Sequence, residues 1–361
     1  MWKTAEGSTG RLIQLCVFYF LAYIATGVTV KYFLGSADQG FPGMKGMEFL
    51  PYSTLGGVMV ATGVALALRW FRFPSNRWVS LGPLRVPVEM LYIVPSGVCT
   101  AVVVPTTTLM YTLPISVMVA MVIMRGSVII ISRIVDAVQI RQGLLTKKVY
   151  WTENVAVLFA ILAVAMKTVF VPKGTGAFDF VNSQAAMTIL GSYVVAYAIR
   201  IYIMNFYKNT RGKGVKQDNK SFYFYEQMSM LVVLIVVTIM IFNSPRWFGW
   251  TAEQVQLFNG AIDDPLPEWR WAVLAGGAFG VASFFSVFLF MFKGRTATFA
   301  GLVNRLTSLI AGTAATLIFH YAFGGRFPSR EDWLSLLCIL IAIGFLTVAE
   351  RKRVTELRAS A

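Results

Sequence analysis
Apolar residues fill this chain in long uninterrupted runs, broken by short polar segments. Ten runs stand out, at about 12–33, 52–71, 90–111, 113–138, 153–171, 184–206, 222–243, 271–292, 296–321 and 332–350. A bilayer core about 30 Å thick takes roughly 20 apolar residues per helix. The runs are continuous rather than alternating, so they are expected to be spanning helices and not barrel strands. The third and fourth touch, which predicts a tight hairpin at 111–114. The first run is longer than the roughly 7–15 residues of a signal-peptide core and is read as a retained helix. The expected fold is an all-α integral membrane protein of ten transmembrane helices.

Basic residues are unevenly shared between the joining segments. With the N-terminus inside, the inside segments hold twenty Lys and Arg and the outside segments eight, leaving Arg125, Arg133, Arg200 and Arg305 within spans. Basic loops stay cytoplasmic, so both termini are expected there. The composition agrees: 57% of residues are hydrophobic and 14% charged, against roughly 45–50% and about 25% in soluble domains. That balance excludes a water-facing globule and a disordered chain. The net charge of +15 is explained by loops resting on anionic headgroups. No segment between the runs is long enough for a folded basic module, so no nucleic-acid partner is expected. The most basic loop, 208–220, is read as an orientation and lipid contact, with a substrate-attracting or regulatory role as the alternative. The outer loop 244–270 carries Trp247, Trp250 and Trp269, which suit an interfacial aromatic belt.

Little in the chain points to catalysis or a cofactor. Cys16, Cys99 and Cys338 form no C-x-x-C pair, and His320 is the single histidine. Neither a disulfide framework nor a metal site is expected. There is no G-x-x-x-x-G-K-[ST] phosphate loop and no catalytic constellation, so no enzymatic activity is expected. The sequon Asn219-Lys220-Ser221 falls in an inside loop, where it would not be glycosylated.

Ten spans divide into two sets of five, and an odd set places its copy upside down in the membrane. The sequence carries echoes of such a duplication. Arg125 is followed by Gly143 and Trp151, and Arg305 by Gly325 and Trp333, at nearly equal offsets. Tyr19-x-x-Ala22-Tyr23 in the first span answers Tyr193-x-x-Ala196-Tyr197 in the sixth. The expected repeats are 1–178 and 179–361, within one structural domain.

The stretch Met124-Arg125-Gly126-Ser127-Val128-Ile129-Ile130 resembles the fourth-helix motif of the drug/metabolite transporter superfamily, closest to its nucleotide-sugar-transporter and chloroquine-resistance-transporter-like branches. Val303-Asn304-Arg305-Leu306-Thr307-Ser308-Leu309, with Trp333 downstream, resembles the ninth and tenth helices of the bacterial EamA-type branch. The resemblance implies a ten-helix carrier that moves a metabolite by alternating access. It also implies that Arg125 and Arg305 match positions at which basic residues meet substrate phosphates. The EamA-like second half tilts the expected location toward a bacterial inner membrane.

The same arginines stand out on physical grounds. At about 1.5 Å per residue, Arg125 lies about 18 Å below the outer face and Arg305 about 14 Å above the inner one. A guanidinium near the midplane costs at least about 2.5–3.5 kcal/mol and persists where it meets water, a partner or a ligand. Two readings stand for each: a contact to substrate, or a structural tie to carbonyls or an acid. Arginine suits phosphate and carboxylate because its planar fork binds bidentately.

Arg200 shares a helical stripe with Tyr193 and Tyr197, and is either a cavity wall or a snorkelling side chain. Tyr19 and Tyr23 are cavity candidates by pseudo-symmetry. Glu226 opens the seventh span and either pairs with Arg200 near the headgroups or carries a coupling proton. Arg133 and Asp136 are spaced for a local ion pair. Lys167 is read as snorkelling, and His320 as an interfacial polar contact. Gly276 and Gly280 form a G-x-x-x-G that predicts close helix packing, and Pro95, Gly97 and Pro105 suggest kinks in the third span.

The expected function is secondary transport of an anionic, phosphorylated organic metabolite, a nucleotide sugar or sugar phosphate, by exchange. The expected site holds Arg125, Arg305, Arg200, Tyr193, Tyr197, Tyr19 and Tyr23, with Glu226 as a coupling or ion-pair candidate. The expected partners are a small anionic substrate and membrane lipids. The alternatives are a flippase for a lipid-linked anionic substrate and a non-transporting membrane scaffold. Efflux of cations is disfavoured by a basic cavity.

Overall fold
Eleven α-helices and one short β-hairpin make up the computed structural model, which describes residues 9–72, 75, 78–144, 149–168, 178–210, 218–290 and 297–359. The helices are α1 Thr9–Phe33, α2 Gly46–Ala67, α3 Met90–Thr112, α4 Val117–Arg141, α5 Trp151–Thr168, α6 Gln184–Asn209, α7 Asn219–Phe248, α8 Glu253–Asp263, α9 Trp269–Phe290, α10 Ala297–Phe323 and α11 Arg330–Ala359. Among the described residues, nine helices are long and apolar enough to cross a membrane. The apolar part of α5, Trp151–Met166, is shorter, and the end of the fifth predicted run lies outside the described residues, as do the basic positions 147–148, 211–216 and 293–295. A chain with so many such helices is an all-α, multi-pass membrane protein.

Two features depart from the expected layout. Segment 244–270, expected to be an outer loop, is not a plain loop: α7 runs on to Phe248 and α8 follows as a short helix. Gly249, at φ 67, ends α7, a conformation that favours glycine. Between α2 and α3 the chain forms the antiparallel hairpin β1 Trp78–Leu81 and β2 Leu84–Pro87.

The helices group into two compact units, and each unit draws on both halves of the chain. The first comprises residues 1–28, 114–190 and 285–361. Residues 117–129 of its α4 are buried on every side, and the sequence there is apolar nearly all round. Ser116 caps α4 by accepting from the Val119 amide at 3.2 Å, and Thr316 of α10 accepts from the Met118 amide at 2.9 Å. Small residues set the approach of α5: Ala156, Ala160 and Ala163 are fully buried at helical spacing. Ser335 of α11 donates to the Ala163 carbonyl at 3.1 Å. Gly126 of α4 faces Val164 and Ile339, where a methyl group would collide.

The second unit comprises residues 29–113 and 191–284. Here α2 and α9 touch backbone to backbone. A Cβ at Gly276 would fall on the Ser53 carbonyl, one at Gly280 on the Gly57 carbonyl, and one at Gly56 on the Val273 carbonyl. The G-x-x-x-G therefore packs inside this unit. α8 docks on α2 through Tyr52, whose hydroxyl donates to the Ala261 carbonyl at 2.5 Å.

Pro95 and Pro105 both lie inside the continuous helix α3. Past Pro105, Thr106 and Thr107 donate to the Val102 and Val103 carbonyls, each at 2.7 Å. Such back-bonding satisfies carbonyls that have no water to turn to.

Candidate functional site
In the first unit, polar side chains from α1, α4 and α10 meet in an otherwise apolar interior. Tyr19 and Tyr23, one turn apart on α1, are buried and stand edge to face at 4.7 Å. The Tyr19 hydroxyl donates to Asn304 Oδ1 at 3.1 Å. Asn304 Nδ2 in turn donates to Ser286 Oγ at 3.1 Å. Arg125 Nη2 donates to the Tyr23 hydroxyl at 2.8 Å, and the Arg125 guanidinium lies 5.4 Å from the Tyr23 ring centre. Arg125, like Arg305 of α10, is more than nine-tenths buried.

Arg305 reaches the same face of α4. Its Nη2 donates to the hydroxyl of Ser132, seven residues beyond Arg125. Seven residues are close to two helical turns, so Arg125 and Ser132 share one stripe about 10 Å apart along the axis. Two cations, two phenols, a carboxamide and two serine hydroxyls thus belong to one polar band. Arginine stays charged beside a hydroxyl or a ring, and its planar fork suits a phosphate or carboxylate.

The second unit uses its arginine differently. Arg200 and Glu226 form a buried bidentate pair, Nε to Oε1 and Nη2 to Oε2, both at 2.9 Å. Glu226 Oε1 also accepts from Ser96 Oγ at 2.6 Å and Thr100 Oγ1 at 3.1 Å. Three helices, α3, α6 and α7, are tied at this carboxylate, and its charge is matched by four donors. Tyr193 and Tyr197 lie against one another at 5.2 Å, one and two turns before Arg200. The pair is buried inside the unit.

Gln227 is fully buried, and neither of its amide atoms has a hydrogen-bond partner among the described residues. A buried amide in that condition costs about 1–3 kcal/mol. Gln227→Met keeps the volume and removes the polar atoms, so a melting temperature equal to or above that of the parent is expected. A clear drop would show that the amide is paired.

Some sequence expectations resolve elsewhere. Arg133 does not pair with Asp136; its Nε donates to Asn154 Oδ1 of α5 at 3.3 Å. His320 Nδ1 lies 2.5 Å from the Gly325 carbonyl and closes the end of α10. Asn304, Ser132, Ser286, Ser96 and Thr100 join these networks with a fainter mark in the sequence than the arginines. Asn304 was the most accessible to sequence reasoning, being a carboxamide beside an arginine in an apolar run. The serines and threonines carry no such signal, because they also bond back to their own helices.

Neither the known protein-family models nor the characterised proteins contain a match to this chain. Among solved structures, one described only as the crystal structure of a protein aligns over 96% of this chain and 99% of its own, at 14% identity and a TM-score of 0.49.

Proposed function
We propose that the protein is a secondary carrier for an anionic, phosphorylated organic metabolite, a nucleotide sugar or sugar phosphate being the leading class. In this reading ten helices span the membrane as two inverted five-helix repeats, 1–178 and 179–361, with both termini cytoplasmic. The shared membership of the two units supports the duplication: the fourth and ninth spans and the fifth and tenth lie in the first unit, and the second, seventh, third and eighth contribute to the second. A bacterial inner membrane is the proposed location.

The observation that carries the reading is the band of Arg125 and Arg305 on one face of α4, each held by a neutral hydroxyl. An anion beside that face of α4 could meet both guanidiniums. The band would bind the phosphate or carboxylate groups, with Tyr19 and Tyr23 flanking it. The Arg200–Glu226 pair, with Tyr193 and Tyr197 nearby, would form a second polar element that changes partners as the carrier alternates. Substrate must stabilise the occluded state more than either open state, or its binding drives no transport.

The test is a thermal-shift screen of purified protein in detergent against nucleotide sugars, sugar phosphates, carboxylates and neutral or cationic amphiphiles. A ligand at a hundred times its dissociation constant adds about 2.7 kcal/mol to a two-state protein. A phosphorylated compound is expected to stabilise the parent and to lose most of that effect in Arg125→Ala. Arg125→Lys keeps the charge and loses the fork, and is expected to fall between them. No response to any soluble anion, with stabilisation only by lipid-linked anions, would replace the carrier by a flippase; no ligand response at all would favour a scaffold.

A further inference from the structure
At one end of the second unit α2 ends, α3 and α7 begin, and the β1–β2 hairpin lies between them. The hairpin turns through Gly82 and Pro83. Gly82 sits at φ 61, which a two-residue turn of this kind assigns to glycine. In its register Trp78 stands opposite Pro87, and Ser80 opposite Arg85. Residues directly opposite, and residues two apart, share a face of the ladder. An indole and a guanidinium are therefore set side by side on one face.

Two cavities share Trp78 as a wall. One, of about 440 Å³, is lined by Phe71, Trp78, Val86, Pro87, Met90 and Tyr225. The other, of about 460 Å³, is lined by Trp78, Ser80 and Arg85. The first is aromatic and apolar, the second polar and cationic. The walls are tied to the spanning helices. Tyr225 of α7 donates to the Phe71 carbonyl at 2.9 Å and Ser221 to the Arg72 carbonyl at 2.8 Å, while Ser75 donates to Glu89 Oε2 at 2.7 Å. Arg85 is the charged residue of the lining and is exposed; Arg69, Arg72 and Lys220 are exposed on the adjoining helix ends, where Asp218 caps α7, and Glu89 is buried. Three helices long and apolar enough to cross a membrane begin or end here, and the ends of such helices belong at a bilayer surface.

We infer that this groove is a binding site for an anionic phospholipid. The phosphate sits on Arg85 and the Ser80 hydroxyl. The glycerol and upper acyl chain lie against Trp78, Phe71, Pro87 and Met90. The arrangement matches the two-part chemistry of a lipid at the headgroup boundary, where tryptophan rings settle and arginine meets phosphate. A soluble phosphate has no use for the apolar half, and phosphatidylcholine brings a trimethylammonium group beside Arg85 that an anionic lipid does not.

The experiment follows thermal unfolding of the full chain in detergent as phosphatidylglycerol, phosphatidylcholine with the same chains, or inorganic phosphate is added. Phosphatidylglycerol is expected to raise the melting temperature saturably and the other two are not. Arg85→Gln, at an exposed position, is expected to weaken the apparent affinity about fivefold, as the loss of one basic residue near a membrane surface implies. As a second readout, phosphatidylglycerol with brominated chains is expected to quench part of the tryptophan fluorescence, and Trp78→Phe to lower the quenched share. The response is expected to persist in Arg125→Ala, which separates this site from the proposed substrate band. An equal effect of phosphatidylcholine, an unchanged phosphatidylglycerol response in Arg85→Gln, or stabilisation by inorganic phosphate alone would overturn the assignment.

Discussion
Glu226→Ala is expected to cost about 3–5 kcal/mol, because it strands the Arg200 guanidinium in an interior with no countercharge. The carboxylate accepts from Arg200, Ser96 and Thr100, so one truncation leaves donors on two other helices without their acceptor. Folded proteins commonly hold only about 5–15 kcal/mol in reserve, and the loss is a large share of that. The measurable result is a steep fall in melting temperature and in monodisperse yield. Arg200→Ala is expected to do similar damage from the other side. The double variant Arg200→Met with Glu226→Gln removes both charges while leaving an acceptor for Ser96, and is expected to recover most of the stability. Equal damage in the single and double variants would mean that the pair contributes packing rather than charge balance.

Gly56→Ala and Gly63→Ala, two identical changes on α2, are expected to act in opposite directions. At Gly56 the new methyl meets the Val273 carbonyl of α9, and backbone cannot move aside as a flexible side chain can. The helices must separate along the whole Gly56–Gly57–Gly276–Gly280 contact, and small-residue packing is what drives such association in a bilayer. A loss at or beyond the upper end of about 1–3 kcal/mol is expected. At Gly63 a methyl meets nothing within 4 Å, so the change trims the freedom of the unfolded chain and is expected to be neutral or to stabilise by about 0.4–1 kcal/mol. Melting curves of the two variants side by side decide it. Gly276→Ala should follow Gly56→Ala, since its methyl meets the Ser53 carbonyl. Equal effects at Gly56 and Gly63 would show that α2 and α9 do not touch.

Much of the candidate band was legible because a charge in an apolar run is conspicuous. Arg125, Arg305 and Arg200 announce themselves by residue type alone. What became of each charge was only partly legible: Arg200 with Glu226 is one of two readings the sequence offers, and a pairing across helices 26 residues apart leaves no periodic trace to decide it. Arg305 meets Ser132 at a separation of 173 residues, for the same reason. The Arg133–Asp136 expectation failed because i, i+3 spacing permits a contact without requiring one; Asn154 of the neighbouring helix took the bond. The hairpin escaped notice because its strands are four residues long, too short for alternation to rise above the basic loop around them.

By itself the sequence determined that this chain lives in a membrane, and where nine of its helices run to within a few residues at most ends. Those properties depend on local composition: a bilayer leaves the backbone of an apolar run no other way to satisfy its hydrogen bonds. It also marked Gly276 and Gly280 as a place of close approach. Only the tertiary structure decided which helix lies against those glycines, that Glu226 balances Arg200, and that Arg125 and Arg305 reach one face of α4. Each of these joins residues distant in the chain, and such contacts are set by how helices pack rather than by the order in which they are written.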